Sequence, residues 1–152
     1  RQNVVVDVTA FPVEEGENAW SAADAWERFH DQGCAAERLT ISSDGGGCLP
    51  HFDANGEMLR MEFATSAGLA ETLRELRRRG HGLGAVLPCM TSNVARLLRL
   101  EGKGRLAVGA DADLVCLDEN HGVRHVMARG RWMVQHGTPL RVGLFESPVS
   151  SD

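Results

Sequence analysis

Apolar residues follow two rhythms in the first hundred positions, and the helical one is lost afterwards. From Asn3 to Thr9 they are nearly continuous, with Val4, Val5, Val6 and Val8 β-branched, which predicts a short buried strand. A loop with Pro12 and Gly16 follows. Then Trp20, Ala23, Trp26 and Phe29 recur at near-helical spacing. Ser21 stands where an N-cap belongs and Gly33 where the helix must stop, so a helix is predicted from Ser21 through Gln32. Arg38 to Ser42 reads as the next strand. Strand, helix, strand in that order predicts a parallel pair joined by a right-handed crossover.

The segment "HFDANGEMLRM" is polar and hairpin-like, with Asn55-Gly56 as its turn signal. Ser66 is expected to cap an amphipathic helix, Ala67 to Arg79, that carries Leu69, Leu73 and Leu76 on one face. Ala85–Met90 and Ser92–Leu98 read as two short helical pieces. After Leu100 glycine recurs every few residues and the helical period is lost. Leu114–Leu117, Val123–Met127 and Trp132–Gln135 read as short strands, the last two joined at residues 128–130. The expected organisation is an α/β part over residues 1–100 and a small β part over 101–152, with the tail "ESPVSSD" frayed.

The 152 residues suffice for a sizeable core, and 43% hydrophobic with 24% charged residues is ordinary for a globular domain. A net charge of −5 argues against nucleic acid as partner. The basic run in "RELRRRG" reads as the solvated face of a helix. Cys34, Cys48, Cys89 and Cys116 form no CxxC pair, which suits reduced thiols and an expected cytoplasmic location. No apolar run approaches the roughly 20 residues that span a bilayer, and no segment reads as a signal peptide. The chain opens on Arg1 and enters a strand at once. That reads as an internal strand of something longer, a trimmed complete domain being the other reading.

The stretch "ISSDGGGCLP" ends a strand on Asp44 and then removes side chains at Gly45, Gly46 and Gly47. In parallel α/β sheets functional residues sit at the carboxyl ends of strands, and the glycines leave room for a ligand near the backbone. Asp44 as a turn cap is the other reading, and pattern alone leaves both open. His30, His51, His81, His121, His125 and His136 include no pair two residues apart. His30 and Cys34 lie one helical turn apart, too few ligands for a zinc site. Ser42 and Ser43 have no evident histidine partner for a triad. Cys48 follows the glycines with no basic neighbour in sequence to lower its pKa.

"TSNVARLLRLEGKGRLAVGADADLVCLD", Thr91 to Asp118, resembles the C-terminal region of the amidohydrolase superfamily, where a "GKG…DADLV" hairpin closes a small β-sandwich beside the barrel. "RLTISSDGGGCLPHFDANGEM" is similar to the last barrel strand of β-aspartyl (isoaspartyl) dipeptidases. The resemblance implies part of a (β/α)8 metallohydrolase barrel plus a β-sandwich segment, two zinc ions in the whole protein, and a small dipeptide substrate. It implies that Asp44 lies by the metal pair as ligand and acid/base, and that Gly45, Gly47 and Cys48 face the substrate. Many members carry serine at the Cys48 position, and a thiol is a weaker donor. The family's His-x-His pair and further ligands would precede Arg1, so the chain is expected to supply the last two barrel strands and to be inactive alone. Homo-oligomers are expected from the same resemblance. A dihydropyrimidinase-like or deacetylase-like enzyme and a non-catalytic truncated module are the alternatives.

Overall fold

Ser21 starts the first helix as its sequence position predicts. Its Oγ accepts from the Asp24 N–H at 3.1 Å, and α1 then runs Ala22–Asp31 until Gly33 turns the chain at φ +65°. The computed structural model describes residues 4–13, 18–53 and 55–143. The expected strand start at Asn3, Gly16 and the terminal "ESPVSSD" lie outside the described residues.

α1 connects β1 (Val6–Thr9) to β2 (Leu39–Ser42), which pair in parallel with Val6 opposite Leu39 and Thr9 opposite Ser42. A 3-10 turn, Ala36–Arg38, takes the place expected for the first residue of the second strand. Against this unit pack α2 (Ala67–Arg78), α3 (Leu83–Val86), a 3-10 turn at Leu87–Met90 and α4 (Ser92–Leu97). The core joins Ala22, Ala23 and Trp26 to Leu39 and Ile41, Leu73 and Leu76, and Val86 and Cys89. Burial pushes the Cys89 thiol up to about 11, so it packs as a small hydrophobe. Asn93 is the polar member of this layer, 3% exposed. Its Nδ2 donates to Ala36 O and Leu39 O, both at 2.8 Å, and so fixes the entry into β2.

Two expectations are corrected here. Ser66 makes no capping hydrogen bond, because its backbone is already α-helical (φ −68°, ψ −10°) rather than extended as an N-cap requires. Nor is the basic run merely a solvated face. Arg79 Nη1 reaches Asp24 Oδ1 (2.8 Å) and Glu27 Oε2 (2.6 Å) on α1, while its Nε holds Glu75 Oε1 (2.9 Å). Arg77 donates from Nη1 to His81 O (2.5 Å) and from Nε to His121 Nε2 (3.2 Å). The run clamps α2 to α1 and to the turn after β5.

At its start α2 lies against the end of β1. A Cβ on Gly68 would come far closer to Ala10 O than van der Waals contact allows, so only glycine allows this approach.

Between β2 and α2 a two-stranded antiparallel ribbon stands out from the body. It comprises β3 (Cys48–Phe52) and β4 (Met58–Phe63), with Cys48 opposite Phe63 and His51 opposite Arg60. The predicted Asn55-Gly56 turn closes it, with Asp53 Oδ1 accepting from the N–H groups of Asn55 (2.8 Å) and Glu57 (2.9 Å). Every residue of β4 is exposed.

β5 (Leu114–Leu117), β6 (Val123–Ala128), β7 (Arg131–Gln135) and β8 (Thr138–Pro139) form an antiparallel sheet in sequence order. The three predicted strands are present, and Arg129-Gly130, both at positive φ, make the β6–β7 turn. No described helix is long and apolar enough to cross a membrane.

Candidate active site

β2 delivers its carboxyl end to the loop that carries Asp44. Two faces of β2 differ in character. Leu39 and Ile41 enter the core, while Thr40 and Ser42 meet Asp7 of β1. Thr40 Oγ1 donates to Asp7 Oδ1 at 2.6 Å and Ser42 Oγ to Asp7 Oδ2 at 2.7 Å. Both oxygens of Asp7 therefore have partners, and the carboxylate staples the two parallel strands beneath the loop. Asp7 was not singled out in the sequence. A charge inside a valine run was the available signal.

Asp44 follows two residues after the strand, in the left-handed region at φ +46°. Asp tolerates that conformation better than most residues, and such backbone recurs at functional sites. The loop then folds back on the aspartate. Gly47 N–H donates to Asp44 O (2.8 Å), Gly46 N–H to Ala64 O (2.8 Å), and Ala64 N–H to Gly47 O (2.9 Å). Gly46 adopts φ +88°. At Gly47 a Cβ would stand 2.8 Å from Asp44 Oδ2 and 2.9 Å from Asp44 O. Gly45 donates to Ser43 Oγ at 3.2 Å and has more room, its nearest Cβ contact being 3.3 Å to that oxygen. The glycines at 46 and 47 thus serve the backbone path and the bare flank of the carboxylate respectively.

The Asp44 side chain is exposed and makes no hydrogen bond or ion pair with another described residue. A turn-capping aspartate would spend its oxygens on nearby N–H groups, as Asp53 and Asp118 do here. Cys48 is exposed one residue beyond Gly47 and pairs with Phe63 in the ribbon. The structure thus brings Asp44 and Gly47 into contact, sets Gly45 one residue on, and places Cys48 at the ribbon base.

Other candidates disperse. The His30 ring packs on Trp26 (5.0 Å between centroids), and His125 packs against His136 and Trp132. His51 pairs with Glu62 at 3.3 Å. Among the described residues no three His, Cys, Asp or Glu side chains gather as a metal site. Asp44 offers one oxygen ligand, and one ligand does not close a metal centre.

The second sequence signature, GKG…DADLV, is a structural joint. Lys103 Nζ bridges Asp111 Oδ2 (2.8 Å) and Asp113, and Asp113 Oδ1 accepts the Arg129 N–H at 2.7 Å. The Arg129 N–H first, then Lys103, hold the Asp113 carboxyl below its ordinary range. Gly104 lies against α4, where a Cβ would come 2.7 Å from Ala95 Cβ.

Residues 15–133 match the amidohydrolase family. The chain belongs to that family. Among solved structures it is similar to the β-aspartyl dipeptidase of Fervidobacterium islandicum AW-1 in complex with the β-Asp-Leu dipeptide. That match has 29% identity and a TM-score of 0.79 over 93% of this chain and 37% of that one. A second structure of β-aspartyl dipeptidase from that organism matches at 25% identity and a TM-score of 0.72, over 93% and 34%. The N-acetylglucosamine-6-phosphate deacetylase of Pasteurella multocida shares the fold at 15% identity and a TM-score of 0.62, over 88% of this chain and 38% of that one. This amidohydrolase chain therefore spans little more than a third of the length of the solved structures it resembles. Amidohydrolases generally use metal ions.

Proposed function

We propose that the chain is part of a metal-dependent hydrolase of β-aspartyl dipeptides, with Asp44 as its proton-transfer group. The observation that carries this reading is the match to a dipeptidase holding β-Asp-Leu, across nearly all of a chain whose strand-end carboxylate has no partner among the described residues. In this reading β1 and β2 are neighbouring strands of a (β/α)8 barrel, residues 1–100 belong to that barrel, and residues 101–152 to a small β domain. Bound metal, which we take to be zinc, would polarise the scissile carbonyl. Asp44 would contribute one ligand to it, and the remaining ligands would come from elsewhere in the whole protein.

The chain's own share of the reaction is proton traffic and access. Asp44 takes the proton of the attacking water and returns it to the leaving amine, which needs a carboxylate free of competing hydrogen bonds. The bare backbone at Gly45 and Gly47 lets a small substrate come close, and Cys48 borders it.

The test is release of leucine from β-Asp-Leu by the whole protein and by its Asp44→Asn form, with metal content measured in both. Loss of turnover with metal and fold retained supports the assignment. Undiminished turnover in Asp44→Asn removes Asp44 from the reaction. A parent that binds metal but leaves β-Asp-Leu intact points to another amidohydrolase substrate.

A further inference from the structure

We propose that Ser43 is a positioning residue for Asp44, its hydroxyl pinning the peptide that follows the aspartate and so setting the direction in which the carboxylate leaves the backbone. The assignment rests on the functional reading above, in which Asp44 moves the proton.

Asp44 stands at φ +46°. A residue other than glycine holds a left-handed backbone at a cost, and keeps it only where its surroundings over-determine it. The restraints come from both sides. Before Asp44 the end of β2 is fixed at Ser42, whose carbonyl accepts the Ala10 N–H at 2.8 Å and whose Oγ donates to Asp7 Oδ2 at 2.7 Å. After it, the Gly46 N–H and the Gly47 carbonyl are both tied to Ala64, at 2.8 and 2.9 Å.

Between these anchors one peptide plane decides how Asp44 is presented, the plane that joins it to Gly45. Its carbonyl end, Asp44 O, accepts the Gly47 N–H at 2.8 Å. Its amide end, the Gly45 N–H, donates to Ser43 Oγ at 3.2 Å. Ser42 spends its hydroxyl on Asp7, so Ser43 is the residue that reaches across Asp44. Without that oxygen the plane is held at one end and can turn about the Gly47 bond. The Ser43 contact is exposed, so water replaces it at little cost in stability. Water does not hold the plane in one orientation, and misplacing a reacting group by about 1 Å costs on the order of a hundredfold in rate. Ser43 therefore bears on the rate far more than on the fold.

The experiment is steady-state hydrolysis of β-Asp-Leu by the whole protein and its Ser43→Ala, Ser43→Thr and Asp44→Asn forms, with metal content and melting temperature measured for each. Ser43→Ala should lower kcat about tenfold or more and leave KM within about twofold, because the loss falls on the transition state rather than on substrate binding. Its metal content and melting temperature should match wild type. Ser43→Thr keeps the hydroxyl and should restore kcat. Undiminished kcat in Ser43→Ala overturns the assignment while Asp44→Asn is inactive. So does a Ser43→Thr form as slow as Ser43→Ala, or a loss of kcat that comes with lost metal or a lowered melting temperature. A wild type that leaves β-Asp-Leu intact, or full turnover in Asp44→Asn, overturns the functional reading itself and the role of Ser43 with it.

Discussion

A methyl group on Gly47 would sit 2.8 Å from Oδ2 of Asp44. That contact is shorter than packed atoms tolerate, so Gly47→Ala must displace either the loop or the carboxylate. A shift of about 1 Å at a reacting group can cost on the order of a hundredfold in rate. The whole protein carrying Gly47→Ala is expected to lose turnover by that order while its melting temperature stays near wild type. Unchanged turnover of β-Asp-Leu would show that the flank of Asp44 need not be bare.

Asp7 is expected to act on stability rather than on the chemical step. Replacing it with alanine leaves the Oγ1 of Thr40, a residue 3% exposed, with only a long 3.5 Å contact to Val6 O. An unsatisfied buried hydroxyl costs about 1–3 kcal/mol. Urea unfolding of Asp7→Ala should show a loss in that range, and Asp7→Asn, which keeps acceptor capacity, a smaller one.

Asn93 offers a similar test on the other side of β2. Asn93→Ala removes two 2.8 Å hydrogen bonds to Ala36 O and Leu39 O inside the core. The expected loss is about 2–3 kcal/mol in urea, with faster amide exchange at the start of β2.

The Arg79 clamp gives a dependence on pH. The Ser21 hydroxyl and then Arg79 lower the Asp24 carboxyl, His81 and then Arg79 lower Glu27, and Arg79 lowers Glu75, from ordinary values of 3.8, 4.5 and 4.5. Carboxyls lowered by folding stabilise the fold fully above those ordinary values. They lose that contribution as pH falls through their lower folded values. Wild type should therefore shed stability below about pH 4 more steeply than Arg79→Met, the two curves converging in acid. Thermal unfolding between about pH 2 and 7 checks this, and added salt should shrink the gap.

How far the sequence could be read depended on whether a feature was local. Ser21, Gly33, Asn55-Gly56 and the strands after Leu100 declare themselves within a few residues, because caps, turns and alternation are short-range. Ser66 misled because a serine before an amphipathic stretch looks the same whether its backbone is extended or already helical. Arg77 and Arg79 misled because their partners lie 44 to 55 positions away or on another element, which no periodicity reports. Asp44 stood out by its glycines, but the distinction between turn cap and unpartnered carboxylate needed the hydrogen bonds. Asp7 and Asn93 needed both strands and the helix layer in place before their roles appeared.

Gly68 has a consequence for how this region can vary. The start of α2 lies so close to Ala10 O that no side chain fits, whereas a Cβ added at Gly82 or Gly84 meets nothing within 4 Å. In a saturation library the three glycines would part company, position 68 admitting glycine alone and positions 82 and 84 a broad alphabet. The rim shared by β1 and α2 is therefore a place where the chain cannot drift.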